Sequence, residues 1–270
     1  RDFPTVRLIA SAENLGFAGG NNAALREMGF GGTRENSLTN LPRYVLLLNP
    51  DTVVHPGALP TMCGFMEWTA RAGIVGAQLQ YGDGSFQHSA FAFPGLWKLA
   101  IDLLPLPRRL AETRLNGRCP QALYRRGQPF EIDHPLGAAM CVRREAIQEA
   151  GLLDERYRMY VEEIDWSKRI AHRGWRAYCT PAAMITHLGG QSTGQVAAES
   201  FLNLWTSRHR FYRIYYSRLK TWLAGQIVAV GMRRKARRDR QLAEAGRLPA
   251  AEAARRSHLY RQVIDIWRQK

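Results

Sequence analysis

The sequence predicts an α/β protein: a mostly parallel sheet flanked by helices, followed by a helical tail. Three observations carry that expectation. Apolar runs of strand length alternate with helical segments through the first two thirds of the chain. One run, Tyr44–Leu48 ("YVLLL"), is apolar at every position, as in a strand covered on both faces. Charge is also partitioned. Residues 205–270 hold 17 Lys and Arg against 4 Asp and Glu, a net of +13 out of +15, which leaves +2 for residues 1–204.

In chain order, "TVRLIAS" (5–11) is a β-like run. "NLGFAGGNNAALREMGF" (14–30) is a Gly- and Asn-rich loop entering a helix, and 31–42 is a polar loop. "RYVLLLN" (43–49) is the buried strand. Residues 55–73 read as a helix, with Pro near the start and Gly at the end. "IVGAQLQY" (74–81) is a strand closed by the turn "GDGS" (82–85). Residues 94–133 are rich in Pro and Arg and show no period. "GAAMCVRREAIQEAG" (137–151) is a strand entering a helix. Residues 152–175 form an acidic loop and a helix that ends at Gly174. "RAYCTPAAMITHLGGQST" (176–193) reads as a strand, a turn, a second strand and a Gly-rich loop. From 197 onward the chain reads as helical, with a break at 245–250.

Composition sets bounds. Hydrophobic residues make up 46% of the 270, enough for a sizeable core and against wholesale disorder. The four cysteines (63, 119, 141 and 179) form no CxxC pair and match no zinc or disulfide spacing, which suits a reduced, cytoplasmic setting. No apolar run approaches the roughly 20 residues of a spanning helix. The longest, 222–232, has about half of that.

Several residues invite chemistry, each with a plainer reading beside it. Asp51 follows the buried strand in "LNPDT". It is either a turn residue or a metal ligand at the edge of the sheet. The glycines at 16, 19 and 20 either make a tight turn or cradle a phosphate. In "YVEEIDW", helical spacing puts Glu162 and Asp165 on one face and Glu163 about 100° away. Asp165 can pair with Arg169 at i,i+4. The acids at 162 and 163 also suit a helix N-terminus. The aromatic surround of Tyr157, Tyr160 and Trp166 would desolvate one carboxylate and raise its pKa, as a general base needs. His187 ends an apolar strand. It is either structural or a second metal ligand beside Asp51.

Together the segments "NLGFAGGNN", "YVLLLNPDT", "GAAMCVRREA", "GLLDERYRMYVEEIDWSKRIAHRGW" and "THLGGQST" resemble the family 2 glycosyltransferases, especially their rhamnosyltransferase-like branch. The likeness spans residues 5–193. It implies a GT-A fold, a nucleotide-diphosphate sugar donor, a Mg²⁺ or Mn²⁺ ion and inversion at the anomeric carbon. The family's DxD motif falls on Asn49-Pro50-Asp51, so Asp51 is left as the main carboxylate ligand. The catalytic Glu-Asp pair falls on Glu162-Glu163, with Glu163 at the position of the base. The late metal-ligating His falls on His187. Substrate contacts are implied for Asn14, Gly16, Gly20, Asn22, Asn49, Asp51, Gly137, Ala138 and Asp165. Members of the family begin with a strand, a helix and a strand ending in an Asp-rich turn, whereas only about a dozen residues precede "NLGFAGGNN" here. The expectation is an N-terminally incomplete GT-A domain at 1–196 and a basic helical tail at 197–270.

The implied activity is sugar transfer, with rhamnose a candidate, to a hydroxyl of a lipid-linked glycan. A non-catalytic binding protein derived from the same fold is the alternative. Residues 207–240 interleave Arg and Lys with Phe, Tyr and Trp, which suits an anionic membrane surface and a peripheral place on the cytoplasmic face of the inner membrane. The plainer reading is a helix packed on the catalytic domain. No nucleic-acid partner is expected, because no recognition motif accompanies the charge.

Overall fold

The computed structural model describes residues 3–32, 41–110, 113–189 and 197–269. Its centre is a mixed sheet. The strands are β1 (Tyr44–Leu48), β2 (Thr52–Val54), β3 (Ala72–Gln80), β4 (Phe86–Gln87), β6 (Phe130–Ile132), β8 (Ala139–Arg143) and β9 (Arg176–His187). The main order is β1-β8-β3-β9-β2, with β4 on β3 and β6 on β9. A separate pair joins β5 (Ala90–Phe91) to β7 (His134–Pro135).

The sheet departs from the mostly parallel expectation. Among the described strands only β3 and β9 pair in parallel, and the other pairings are antiparallel. The cause is β8. The segment β1–α2–β3, with α2 at Ala58–Trp68, is a crossover between two strands of one direction, and β8 inserts antiparallel between them.

Alternation along the strands sorts side chains to two faces. Ile74, Met140 and Val142 join one core with α1 (Gly16–Glu27), α5 (Arg144–Ala150) and α6 (Glu162–His172). Val75, Ala77, Cys141 and Ile185 join the other core, with Met62 and Met66 of α2. Both faces are covered, which explains why Tyr44–Leu48 reads as an unbroken apolar run and why Ala72–Ala77 carries no polar side chain.

Three further expectations change. The 5–11 run forms no strand, and Val6, Leu8 and Ile9 are exposed, since no described strand lies alongside to pair with it. Residues 94–133 contain α3 (Leu96–Leu103), α4 (Gln121–Arg125) and β6, elements too short to leave a period in the sequence. Residues 176–187 make one strand. Thr180 pairs with Ala77 and Met184 with Gln78, so 181–183 bulge out where a turn was expected. Pro181 lacks an N–H, and a bulge accommodates it. Residues 33–40 of the polar loop and 190–193 of the Gly-rich loop lie outside the described residues.

The C-terminal region is α7 (Ala197–Tyr215), α8 (Arg218–Glu244) and α9 (Ala250–Arg268). These helices share a third core with Leu99 and Leu103 of α3 and with Tyr157 and Val161 from the segment leading into α6.

Candidate active site

β1, β3 and β9 run one way and β8 the other, so the last residues of β1 and β9 share an edge with the first residues of β8. That edge gathers the residues singled out above. The Asn49 N–H donates to Ala138 O at 2.9 Å, and the Leu188 N–H donates to Asp51 O at 2.9 Å. Thr52 lies opposite His187 in the β2–β9 register. Asp51 Oδ1 and His187 Nε2 therefore approach to 3.5 Å. The Asn49 side-chain amide also lies 3.5 Å from Nε2.

On the far side of the ring, His187 Nδ1 lies 3.2 Å from Oε1 of the buried Gln87. With that oxygen as acceptor the proton sits on Nδ1, and Nε2 keeps its lone pair facing Asp51. A metal-ligating imidazole is commonly held in this way by a partner behind it. Neighbouring ligands on an octahedral ion at about 2.1 Å stand roughly 3 Å apart, close to the spacing found here. The donor set therefore fits Mg²⁺ or Mn²⁺. No third His, Cys, Asp or Glu completes a cluster among the described residues. Water and substrate oxygens would have to fill the remaining positions, as Mg²⁺ sites usually allow. Gln87 was not legible beforehand, because one amide on a two-residue strand carries no signal.

The second half of the site begins α6. Tyr160 and Val161 have φ of 66° and 75°, left-handed values that are strained for non-glycine residues and most of all for a β-branched one. Together they aim the first turn of α6 at the sheet edge. Glu162 is 4% exposed, and its Oε2 has no hydrogen-bond partner. Burial and then the adjacent Glu163 carboxylate raise its pKa. Burial also raises Glu163, opposed by backbone N–H groups of the helix start and by Lys98. Glu163 lies over Gly137: a Cβ there would stand 3.4 Å from Glu163 Cγ and 3.7 Å from Phe17 Cζ. Gly137 adjoins Ala138, whose carbonyl holds Asn49. Glu163, Gly137, Ala138, Asn49, Asp51 and His187 thus form one continuous line of neighbours.

Lys98 of α3 stands beside Glu163, and the sequence carries no sign of it, since α3 lies in the stretch without a period. Burial, then repulsion from Arg208, lowers its pKa to about 8. It lies near enough to Glu163 to offset part of that carboxylate's charge.

The other residues expected at the substrate have structural partners in the fold. Asp165 accepts from Arg169 Nε at 2.9 Å and from the Tyr215 hydroxyl at 2.8 Å, so it ties α6 to α7. Asn22 donates to Leu153 O and Glu155 Oε1 and accepts from the Leu153 N–H, which uses its amide to hold the 153–155 loop. Asn14 Oδ1 accepts from the Gly16 N–H. Gly16 has φ +68°, and a Cβ on it would meet Arg158 O at 2.7 Å, so the helix start needs glycine for close packing. Gly20 is exposed, with nothing within 4 Å of a Cβ, and leaves room beside α1. A 790 Å³ cavity lies elsewhere, among the C-terminal helices.

Three comparisons bear on this arrangement. A family model described as "Glycosyltransferase like family 2" matches residues 1–211. Two curated proteins from Mycobacterium tuberculosis, strains CDC 1551 / Oshkosh and ATCC 25618 / H37Rv, are each 28% identical over 200 residues. Each is an N-acetylglucosaminyl-diphospho-decaprenol L-rhamnosyltransferase, and the match covers 72% of this chain and 62% of each relative. A solved structure of GalNAc-T7 with UDP, GalNAc and Mn²⁺ superposes with a TM-score of 0.52 and 13% identity, covering 84% of this chain and 38% of that one. At that identity the likeness is one of fold.

Proposed function

The chain belongs to glycosyltransferase-like family 2 and has a GT-A fold, and on that premise we propose that it moves a sugar from a nucleoside-diphosphate donor to a hydroxyl of a lipid-linked glycan. Rhamnose is the sugar its curated relatives suggest, and inversion at the anomeric carbon is the stereochemical course. The observation that carries the reading is the position of Glu163 over Gly137, in line with Asn49, Asp51 and His187.

Asp51 and His187 would hold Mg²⁺ or Mn²⁺, which when bound neutralises charge on the departing diphosphate. Gly137 leaves the space in front of Glu163 that a side chain would fill. An acceptor hydroxyl placed there gives its proton to the Glu163 carboxylate as its oxygen attacks the sugar. Burial raises the proton affinity of both carboxylates, and Glu163 raises that of Glu162 further, which moves the pair toward the working pH of a base. Lys98 offsets part of the negative charge, so Glu163 can be ionised before it accepts. A lipid-linked acceptor also gives the basic C-terminal helices a reason to meet an anionic membrane.

A second reading is a binding protein without turnover. Asn49 in place of a second acid favours it. Transfer of label from nucleoside-diphosphate [¹⁴C]rhamnose to N-acetylglucosaminyl-diphospho-polyprenol, with Mn²⁺ present, separates the two. We expect label in the lipid phase, and a loss of about 10²–10⁴-fold in Glu163→Gln with nucleotide binding retained. Nucleotide binding without transfer would leave the binding reading in place.

A further inference from the structure

The cavity of 790 Å³ opens where the end of α7, the first half of α8 and the end of α9 meet. Four guanidinium groups line it, Arg213, Arg218, Arg233 and Arg268, and no carboxylate does. Arg268 reaches Asp265 at 3.9 Å, with both side chains largely exposed. The other three have no carboxylate partner among the described residues. A cleft lined by one sign of charge concentrates ions of the other. His209, on the same wall, registers that field: burial and then Arg213 push its imidazole down to about 4. The N-terminus of α8, capped by Ser217, adds its own positive end.

The remaining wall is apolar. Trp267 is buried behind it, and Trp222 and Leu219 stand 58% and 66% exposed. Free phosphate would leave the aromatic wall unexplained, and a plain hydrocarbon would leave the arginines unexplained. One ligand class answers both. A phosphodiester headgroup carries a single charge, whereas a diphosphate offers more charge and two sets of oxygens for the paired N–H bonds of guanidinium. We propose that this cavity binds a diphosphate lipid, with the diphosphate among Arg213, Arg218 and Arg233 and the start of its chain across Trp222 and Leu219. The role of such a lipid rests on the function proposed above, under which it is the acceptor's own carrier. The site is also joined to the candidate active site: Tyr216 lines the cavity, its hydroxyl donates to Pro94 O, and the next residues form α3, which carries Lys98 beside Glu163.

The test is a titration of the whole chain with farnesyl diphosphate, read by calorimetry and by the fluorescence of Trp222 and Trp267. Saturable binding is expected. Each charge-assisted bond is strong, so Arg213→Ala/Arg233→Ala should weaken it by about 10-fold or more. Trp222→Ala should weaken it several-fold, and both inorganic diphosphate and farnesol should bind more weakly than the whole ligand. Both arginines are exposed, and a far-UV spectrum checks the fold. Should the double variant misfold, Arg213→Lys/Arg233→Lys keeps the charge but loses the paired bonds, and it should still bind more weakly. Unchanged affinity in the folded arginine variants would overturn the site. So would inorganic diphosphate binding as tightly as the farnesyl ester, or phosphatidylglycerol vesicles competing equally per phosphate. Binding without any sugar transfer would sink the catalytic reading and leave this site standing. Transfer with no farnesyl diphosphate binding would do the reverse.

Discussion

Glu163 and Asp165 lie two positions apart on α6, in different surroundings. Asp165 is 2% exposed and accepts from Arg169 and Tyr215. Asp165→Asn removes the charge that both donors face and should cost about 3 kcal/mol, the scale of breaking a buried pair. Thermal unfolding would register this. A variant that unfolds like the parent but has lost transfer would return Asp165 to the chemistry. The Arg169 partner was legible as an i,i+4 spacing. Tyr215 was not, because it comes from a helix 50 residues further on. Glu162 gives a pH signature. Its pKa is raised above the ordinary 4.5 to about 8 by burial and by Glu163. Below pH 4.5 both folded and unfolded chains hold the proton. Between these values the unfolded chain releases it and the folded chain keeps it, so the contribution to stability falls as pH rises. Glu162→Gln should therefore flatten the decline and raise stability at pH 8, by about 1–3 kcal/mol. Equal denaturation midpoints for parent and variant at pH 8 would contradict the buried, protonated state. The aromatic surround in the sequence hinted at this desolvation, whereas the left-handed Tyr160 and Val161 left no trace there, since nothing in "RMYVEE" calls for positive φ.

At the scale of elements, strands and helices marked by apolar runs and bounded by Gly and Pro were legible: β1, β3, β8, α2, α5 and α6 appear where these signals put them. What escaped depends on partners. The strand at 176–187 could not be told from two strands, because its bulge is defined by pairing with β3. The direction of β8 could not be read, since an apolar run has no polarity until neighbours flank it. α3 bears on the candidate site. It is short, it packs on α8, and it carries Lys98 toward Glu163. The crossing depends on Gly231, where a Cβ would fall 2.5 Å from Leu103 Cβ. Gly231→Ala would gain up to about 1 kcal/mol of helix propensity. Overpacking at the root of a buried side chain typically costs about 1–3 kcal/mol, so the net change should be destabilising. Because α3 must shift to relieve the clash, transfer should fall along with the melting temperature. A variant more stable than the parent, with full activity, would mean that α3 and α8 do not cross here.

For the whole molecule, α7–α9 have two faces of different character. One closes a core with Leu99 and Leu103 of α3 and with Tyr157 and Val161, so these helices support the turn that presents Glu162 and Glu163. The packed-helix reading of the basic region therefore describes its inner face. The other face is charged: Arg234, Arg237, Arg238 and Arg240 on α8 are all exposed. No helix among the described residues is long and apolar enough to cross a membrane. Charge of this density beside exposed Trp222 and Leu223 suits adsorption to an anionic surface, with each basic residue contributing about 1 kcal/mol. Deleting residues 207–270 would be a poor test, since it would strip a core shared with the site. Substituting the four arginines with Gln removes the attraction and leaves the inner face intact. In a flotation assay the parent chain should rise with phosphatidylglycerol vesicles at low salt and stay down with phosphatidylcholine. It should be released as salt approaches 1 M, where the Debye length falls to about 3 Å. The four-arginine variant, folded by circular dichroism, should lose most of its flotation. That loss should be independent of Arg213 and Arg233, because diffuse attraction depends on the sum of charges on the face, whereas a cavity depends on particular donors. Equal flotation of parent and variant would place the membrane contact elsewhere on the molecule, and binding to neutral vesicles at any salt would make it apolar rather than electrostatic.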